Sequence, residues 1–145
     1  MWRACLAVAA VVTMSAALGG CGVSGAEVAS ARMSLQTSGG LMPTDVGAVE
    51  ILVLDGEDPT CAHALTPASP LDDPALVVVA HGLFATDTVA KHLSIPAGKK
   101  LVFYAEAYSS TKSRVRLGRG CAEQSLSAGA SAGVTILISA EAATH

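Results

Sequence analysis

At 145 residues the chain has room for one domain. Its residues are 51% hydrophobic but only 3% aromatic, so any core has to be built from aliphatic side chains. The net charge of −3 lacks the basic excess of a nucleic-acid-binding domain, which excludes nucleic acid as a partner.

Arg3 precedes an apolar run over residues 4–18, interrupted only by Thr13 and Ser15. A charged start followed by about 15 apolar residues reads as an export signal and is short for a membrane span. The run closes on Leu18-Gly19-Gly20-Cys21. This motif resembles the lipobox of bacterial lipoproteins: an aliphatic residue, two small residues, then cysteine. The resemblance implies removal of residues 1–20 and acylation of Cys21 (palmitate-type chains) as the mature N-terminus. It also implies attachment to the membrane through that N-terminal lipid, with no transmembrane helix needed. Gly22 stands where aspartate would retain such a protein at the inner membrane, so the resemblance points to the outer membrane of a double-membraned bacterium. Ordinary secretion, with cleavage after Ser24-Gly25-Ala26, is the alternative. An uncleaved anchor is disfavoured by Gly19, Gly20 and Gly25. Without Arg3 the mature chain keeps eight basic and twelve acidic residues, a balance of −4.

Of the four cysteines, Cys5 leaves with the leader and Cys21 takes the lipid. Cys61 and Cys121 remain, an even pair in an exported protein, so a disulfide is expected. A metal site built from Cys61, His63, Cys121 and a further histidine is the alternative, but it lacks the second compact ligand pair that structural zinc prefers. No metal and no cofactor is expected.

The mature chain reads as a series of short strands. Residues 22–26 form a tether of small residues. Over residues 27–37, Ala29, Ala31, Met33 and Leu35 alternate with polar neighbours, the period of a half-buried strand. Ser38-Gly39-Gly40 and Pro43-Thr44-Asp45 break the pattern. A second strand spans residues 46–54, with Val49, Ile51 and Val53 on one face. Leu52 and Leu54 on the other predict that both faces are covered. Asp55-Gly56-Glu57-Asp58-Pro59 is a turn, and Pro67, Pro70 and Pro74 make residues 66–74 a loop. Residues 75–80, with three valines, read as a buried strand ending at His81-Gly82. Residues 86–95 are expected to form a strand. Ile95-Pro96-Ala97-Gly98 then turns the chain into the clearest element, residues 100–108. There Leu101, Phe103, Ala105 and Ala107 share one face, and Val102, Tyr104, Glu106 and Tyr108 the other. After a polar hairpin loop, Val115 and Leu117 are expected to point inward, Gly118-Arg119-Gly120 to bend the chain before Cys121, and residues 134–139 to close the fold.

Seven to eight strands with closely spaced turns predict an all-β fold, a single antiparallel sandwich of Ig-like or prealbumin-like form. The Ile95-Pro96-Ala97-Gly98 turn, the alternating strand, the polar hairpin and the final Val134-Thr135-Ile136-Leu137-Ile138 strand resemble prealbumin-like domains, including the carboxypeptidase regulatory-like domains. The resemblance covers most of residues 46–139 and implies a folding, spacer or binding module without catalytic residues. The domain organisation expected is a leader at 1–20, a lipidated tether at 21–26, a β-sandwich at 27–140 and a tail at 141–145.

No nucleophile elbow, zinc-protease helix, phosphate loop or dinucleotide fingerprint occurs, so no catalytic residue is assigned. His63, His81, His92 and His145 are scattered. Asp55, Glu57 and Asp58 read as a solvated acidic turn rather than a calcium loop. Lys112, Arg114, Arg116 and Arg119 are the only basic concentration. Arg114, Arg116 and Arg119, with Tyr104 and Tyr108, are the candidate contact face for a glycan, a headgroup or an acidic protein partner in the envelope. A charged edge strand that resists sheet-to-sheet association is the plainer reading of the arginines. The reading as a whole is a non-enzymatic envelope lipoprotein that binds or spaces other components. An accessory subunit of a larger envelope assembly is the alternative, and an enzyme would need a constellation that the sequence does not display.

Overall fold

The computed structural model describes residues 27–85, 91–112 and 114–141. The leader, Cys21, the tether and His145 lie outside the described residues. The fold is all-β, as expected. Its strands are β1 (Val28–Ser38), β2 (Ala48–Asp55), β3 (Val77–Ala85), β4 (Lys91–Pro96), β5 (Lys100–Tyr108), β6 (Arg116–Ser125) and β7 (Ser131–Ala140). One short helix, α1 (Cys61–Leu65), lies between β2 and β3.

All seven strands belong to one sheet in the order β3-β2-β5-β6-β7-β1-β4. The sheet curls until it is nearly a barrel, with its end strands β3 and β4 close together. The pairing is not antiparallel throughout. β1 and β7, the first and last strands, run parallel in a register from Ser30 opposite Ser131 to Ser38 opposite Ser139. On its other side β1 pairs antiparallel with β4.

The tight curl has a local cause in β6. Gly118 and Gly120 do not bend the chain out of the sheet, as their sequence context predicts, but sit inside the strand. A methyl group at either position would overlap a carbonyl of β7, that of Ser139 or that of Leu137. Glycine therefore lets the two backbones close in, the role it commonly has at a barrel corner.

Two further expectations are corrected. β3 is an end strand of the sheet, and its valines are not fully buried: Val77 and Val78 are exposed. The strand also continues through His81-Gly82 to Ala85, so His81 lies within it.

The alternation read from the sequence sets up two cores. The larger takes Ala29, Ala31 and Met33 from β1, Val49, Ile51 and Val53 from β2, Leu101, Phe103, Ala105 and Ala107 from β5, and Val134, Ile136 and Ile138 from β7. The smaller lies on the opposite face of β2 and β5, where Leu52, Leu54, Val102 and Tyr104 pack under Ala64 of α1 and Leu76. Residues 56–76 thus form a cover over one face of the sheet. Leu54 and Val102 are buried completely by it, and each such burial stabilises by about 1.5–3 kcal/mol.

The start of the cover is fastened to the sheet, and its two arms are tied to each other. Cys61 and Cys121 are joined by a disulfide with a Cα–Cα distance of 5.7 Å. The Cys61 backbone N–H donates to Glu123 Oε1 at 2.8 Å. Lys100 meets Asp58 at 3.1 Å and Glu123 at 3.4 Å. Thr60 caps the start of α1 by accepting from the His63 N–H at 3.1 Å. The His63 ring meets Asp73 at 2.5 Å. The acidic turn is held in the same way, with Asp55 2.9 Å from Lys99.

Candidate functional site

β2 and β5 each carry one glutamate in an otherwise apolar run, and the register makes Glu50 and Glu106 direct partners across the two strands. Like charges placed so are destabilising unless something neutralises them. Here two phenols, two arginines and a histidine gather around the pair. Tyr104 Oη donates to Glu106 Oε1 at 2.6 Å, and Tyr108 Oη donates to Glu106 Oε2. Tyr108 Oη also lies 3.3 Å from Glu50 Oε2, so it spans the two carboxylates.

The two glutamates differ in how firmly they are held. Glu106 has 12% side-chain exposure and pairs with Arg116 at 3.0 Å. Arg116 is itself fixed, donating to Glu141 at 2.9 Å and to the Ala68 carbonyl of the cover at 2.8 Å. Arg119 repeats the device, donating to the Pro67 carbonyl at 2.7 Å and meeting Glu141 at 3.3 Å. Glu50, with 19% exposure, meets His81 Nε2 at 2.8 Å and the Arg114 guanidinium. Those two partners are 50% and 48% exposed. The Arg114 guanidinium also lies over the Tyr108 ring, 4.7 Å from its centroid.

These groups surround a cleft of about 300 Å³ bounded by Glu50, Leu52, Ser69, Leu71, Tyr104, Glu106, Tyr108 and Arg114. The sheet supplies its floor, the cover supplies Ser69 and Leu71, and the segment leading into β6 supplies Arg114. Leu71 is 65% exposed at the lip. Burial, reinforced by the hydrogen bond to Glu106, pushes the Tyr108 hydroxyl up to about 12. The same causes raise Tyr104 further, with Arg119 opposing them. Arg116 is also raised, chiefly by its bond to Glu141. Both phenols therefore remain proton donors at physiological pH.

Tyr104, Tyr108, Arg114 and Arg116 of the expected contact face thus come together around the two glutamates, while Arg119 stands beside them on Glu141. The face is not an edge: β6 lies between β5 and β7. Val115 does not point inward but is 58% exposed, because β6 begins only at Arg116. The arginines are also not a bare basic patch, since three of them meet three glutamates. Cys61 and Cys121 are bonded to each other, so neither thiol is available to the metal site weighed above.

Glu50 is not among the residues that the sequence marks as a contact face, although a lone carboxylate inside an apolar strand is a signal that it has a partner. Glu106 accepts from both phenols and meets Arg116, whereas Glu50 meets His81 and Arg114. No family model matches this chain, and comparison with curated proteins finds no match.

Proposed function

We propose that this chain is a lipid-anchored envelope protein whose β domain serves as a non-enzymatic binding or spacing module. The Cys61–Cys121 disulfide is the observation that carries the reading. Such bonds persist in oxidising compartments outside the cytosol, in keeping with the export signal and the Leu18-Gly19-Gly20-Cys21 motif. Cys21 takes the lipid, and residues 22–26 link it to β1. Among the described residues no helix is long and apolar enough to cross a membrane, and acyl chains on Cys21 supply the attachment instead. The outer membrane is the proposed destination, from Gly22.

The finer fold proposed is a prealbumin-like sandwich. It rests on the Ile95-Pro96-Ala97-Gly98 turn and its following strand, and the main core between the facing parts of the curled sheet supports it. The cleft beside Tyr108 supports the binding role.

The test is expression of the full chain in a double-membraned bacterium fed a clickable palmitate. The wild type is expected to carry label and to fractionate with the outer membrane, and Cys21→Ser to lose both. Equal labelling of the Cys21→Ser variant overturns the proposal. Mild crosslinking in the same cells decides between a free module and an accessory subunit, which would yield one stoichiometric partner.

A further inference from the structure

The cleft has a seat for a cation, and the chain itself occupies it. Glu50 supplies the negative charge and Tyr108 the aromatic face; the Arg114 guanidinium sits between them. A carboxylate and a ring face together recognise a guanidinium by charge and by cation–π attraction. Glu106 cannot exchange its partner so readily. Its arginine, Arg116, is tied to Glu141 and to the Ala68 carbonyl.

Arg114 is held differently. Its side chain is 48% exposed, and among the described residues it meets Glu50 and lies over the Tyr108 ring. Exchanging it for another guanidinium leaves the charge around Glu50 unchanged. An exposed ion pair contributes little to stability, so the exchange costs little. Beside the seat, Leu52, Tyr104 and the exposed Leu71 line the cleft and offer apolar surface for the stem of an incoming side chain.

We infer that the Glu50–Tyr108 seat receives an arginine side chain of a partner polypeptide, and that Arg114 is the exchangeable internal occupant that holds the seat until the partner arrives. A polypeptide is the occupant of choice because the seat already accepts an arginine presented by a polypeptide, the segment just before β6. The inference rests on the binding-module reading and deepens it.

The test uses the full, disulfide-bonded chain in detergent, as wild type, Arg114→Ala and Arg114→Ala/Glu50→Gln. Calorimetry compares three probes: the capped tripeptide Ala-Arg-Ala, its citrulline counterpart and methylguanidinium. Removing the internal occupant opens the seat fully, so Arg114→Ala is expected to bind the arginine tripeptide about tenfold more tightly than wild type, the gain that corresponds to a seat open about one-tenth of the time in wild type. The added Glu50→Gln is expected to abolish the gain, and citrulline, lacking the charge, to bind no variant. Equal affinity of wild type and Arg114→Ala overturns the inference, as does binding of citrulline. Methylguanidinium binding as tightly as the tripeptide overturns the polypeptide assignment. Circular dichroism and a non-reducing gel establish that each variant is folded, and Arg114→Gln replaces Arg114→Ala if the latter is not. Failure at the seat with a crosslinked partner still present in cells refutes the seat alone and leaves the binding module standing.

Discussion

Replacing both Cys61 and Cys121 with alanine removes the staple and leaves the other fastenings of the cover in place. The bond closes a loop across a sequence separation of 60, for which the chain-entropy relation gives about 4 kcal/mol. The Cys61 N–H bond to Glu123 is a backbone bond and survives the substitution. Arg116 and Arg119 still hold the carbonyls of Ala68 and Pro67. Leu54 and Val102 stay buried beneath α1. The loss is therefore expected to come chiefly from the unfolded chain, and to be about 2–5 kcal/mol. At a few degrees per kcal/mol for a domain of this size, the melting temperature should drop by on the order of 10–20 °C. Urea unfolding followed by circular dichroism measures the loss. The m-value should rise, because the unlinked unfolded chain exposes more surface. A loss below about 1 kcal/mol with an unchanged m-value would refute the reasoning, since the chain-entropy relation requires a constrained unfolded state.

The remaining predictions concern the site and the curl of the sheet. Arg116→Met removes three hydrogen bonds, to Glu106, Glu141 and the Ala68 carbonyl, and should cost about 2–3 kcal/mol in urea unfolding; Arg114→Ala should cost much less. The chain has only two tyrosines, both at the cleft, so absorbance at 295 nm should show neither ionising near pH 10 while the fold persists. Because Tyr108 is raised to about 12, its contribution is fully present below the ordinary tyrosine value of about 10. It is lost as pH rises toward 12, and half-ionised tyrosine in folded protein at about pH 10 would contradict the buried phenols. Gly120→Ala should destabilise by about 1–3 kcal/mol through overlap with the Leu137 carbonyl, and an unchanged unfolding midpoint would count against the close approach of β6 and β7.

The strands were legible where one face is apolar and the other is not. β1 shows this in Ala29, Ala31 and Met33, and β5 has the residue range and the division of faces that alternation predicts. Leu52 and Leu54 foretold the second core, because apolar residues on both faces of a strand require two covers. Other features depend on partners far along the chain. The parallel pairing of β1 with β7 leaves no local mark, and neither does the end position of β3, whose valines look like those of a central strand. α1 is five residues long, too short to display a helical period. The aromatic and basic members of the site were visible as a cluster, but their setting was not. Arg114 and Arg116 look like solvated charges until β2 brings Glu50 opposite Glu106, a pairing across 56 residues of sequence.

The central claim is that the β domain hangs from a lipid on Cys21, and the N-terminal peptide of the mature protein tests it most directly. Mass spectrometry of protein extracted from the envelope should find a peptide beginning at Cys21 with the mass of a diacylglyceryl group on its sulfur. A mature chain beginning at Glu27, or an unmodified peptide running through Leu18-Gly19-Gly20-Cys21, would contradict the account.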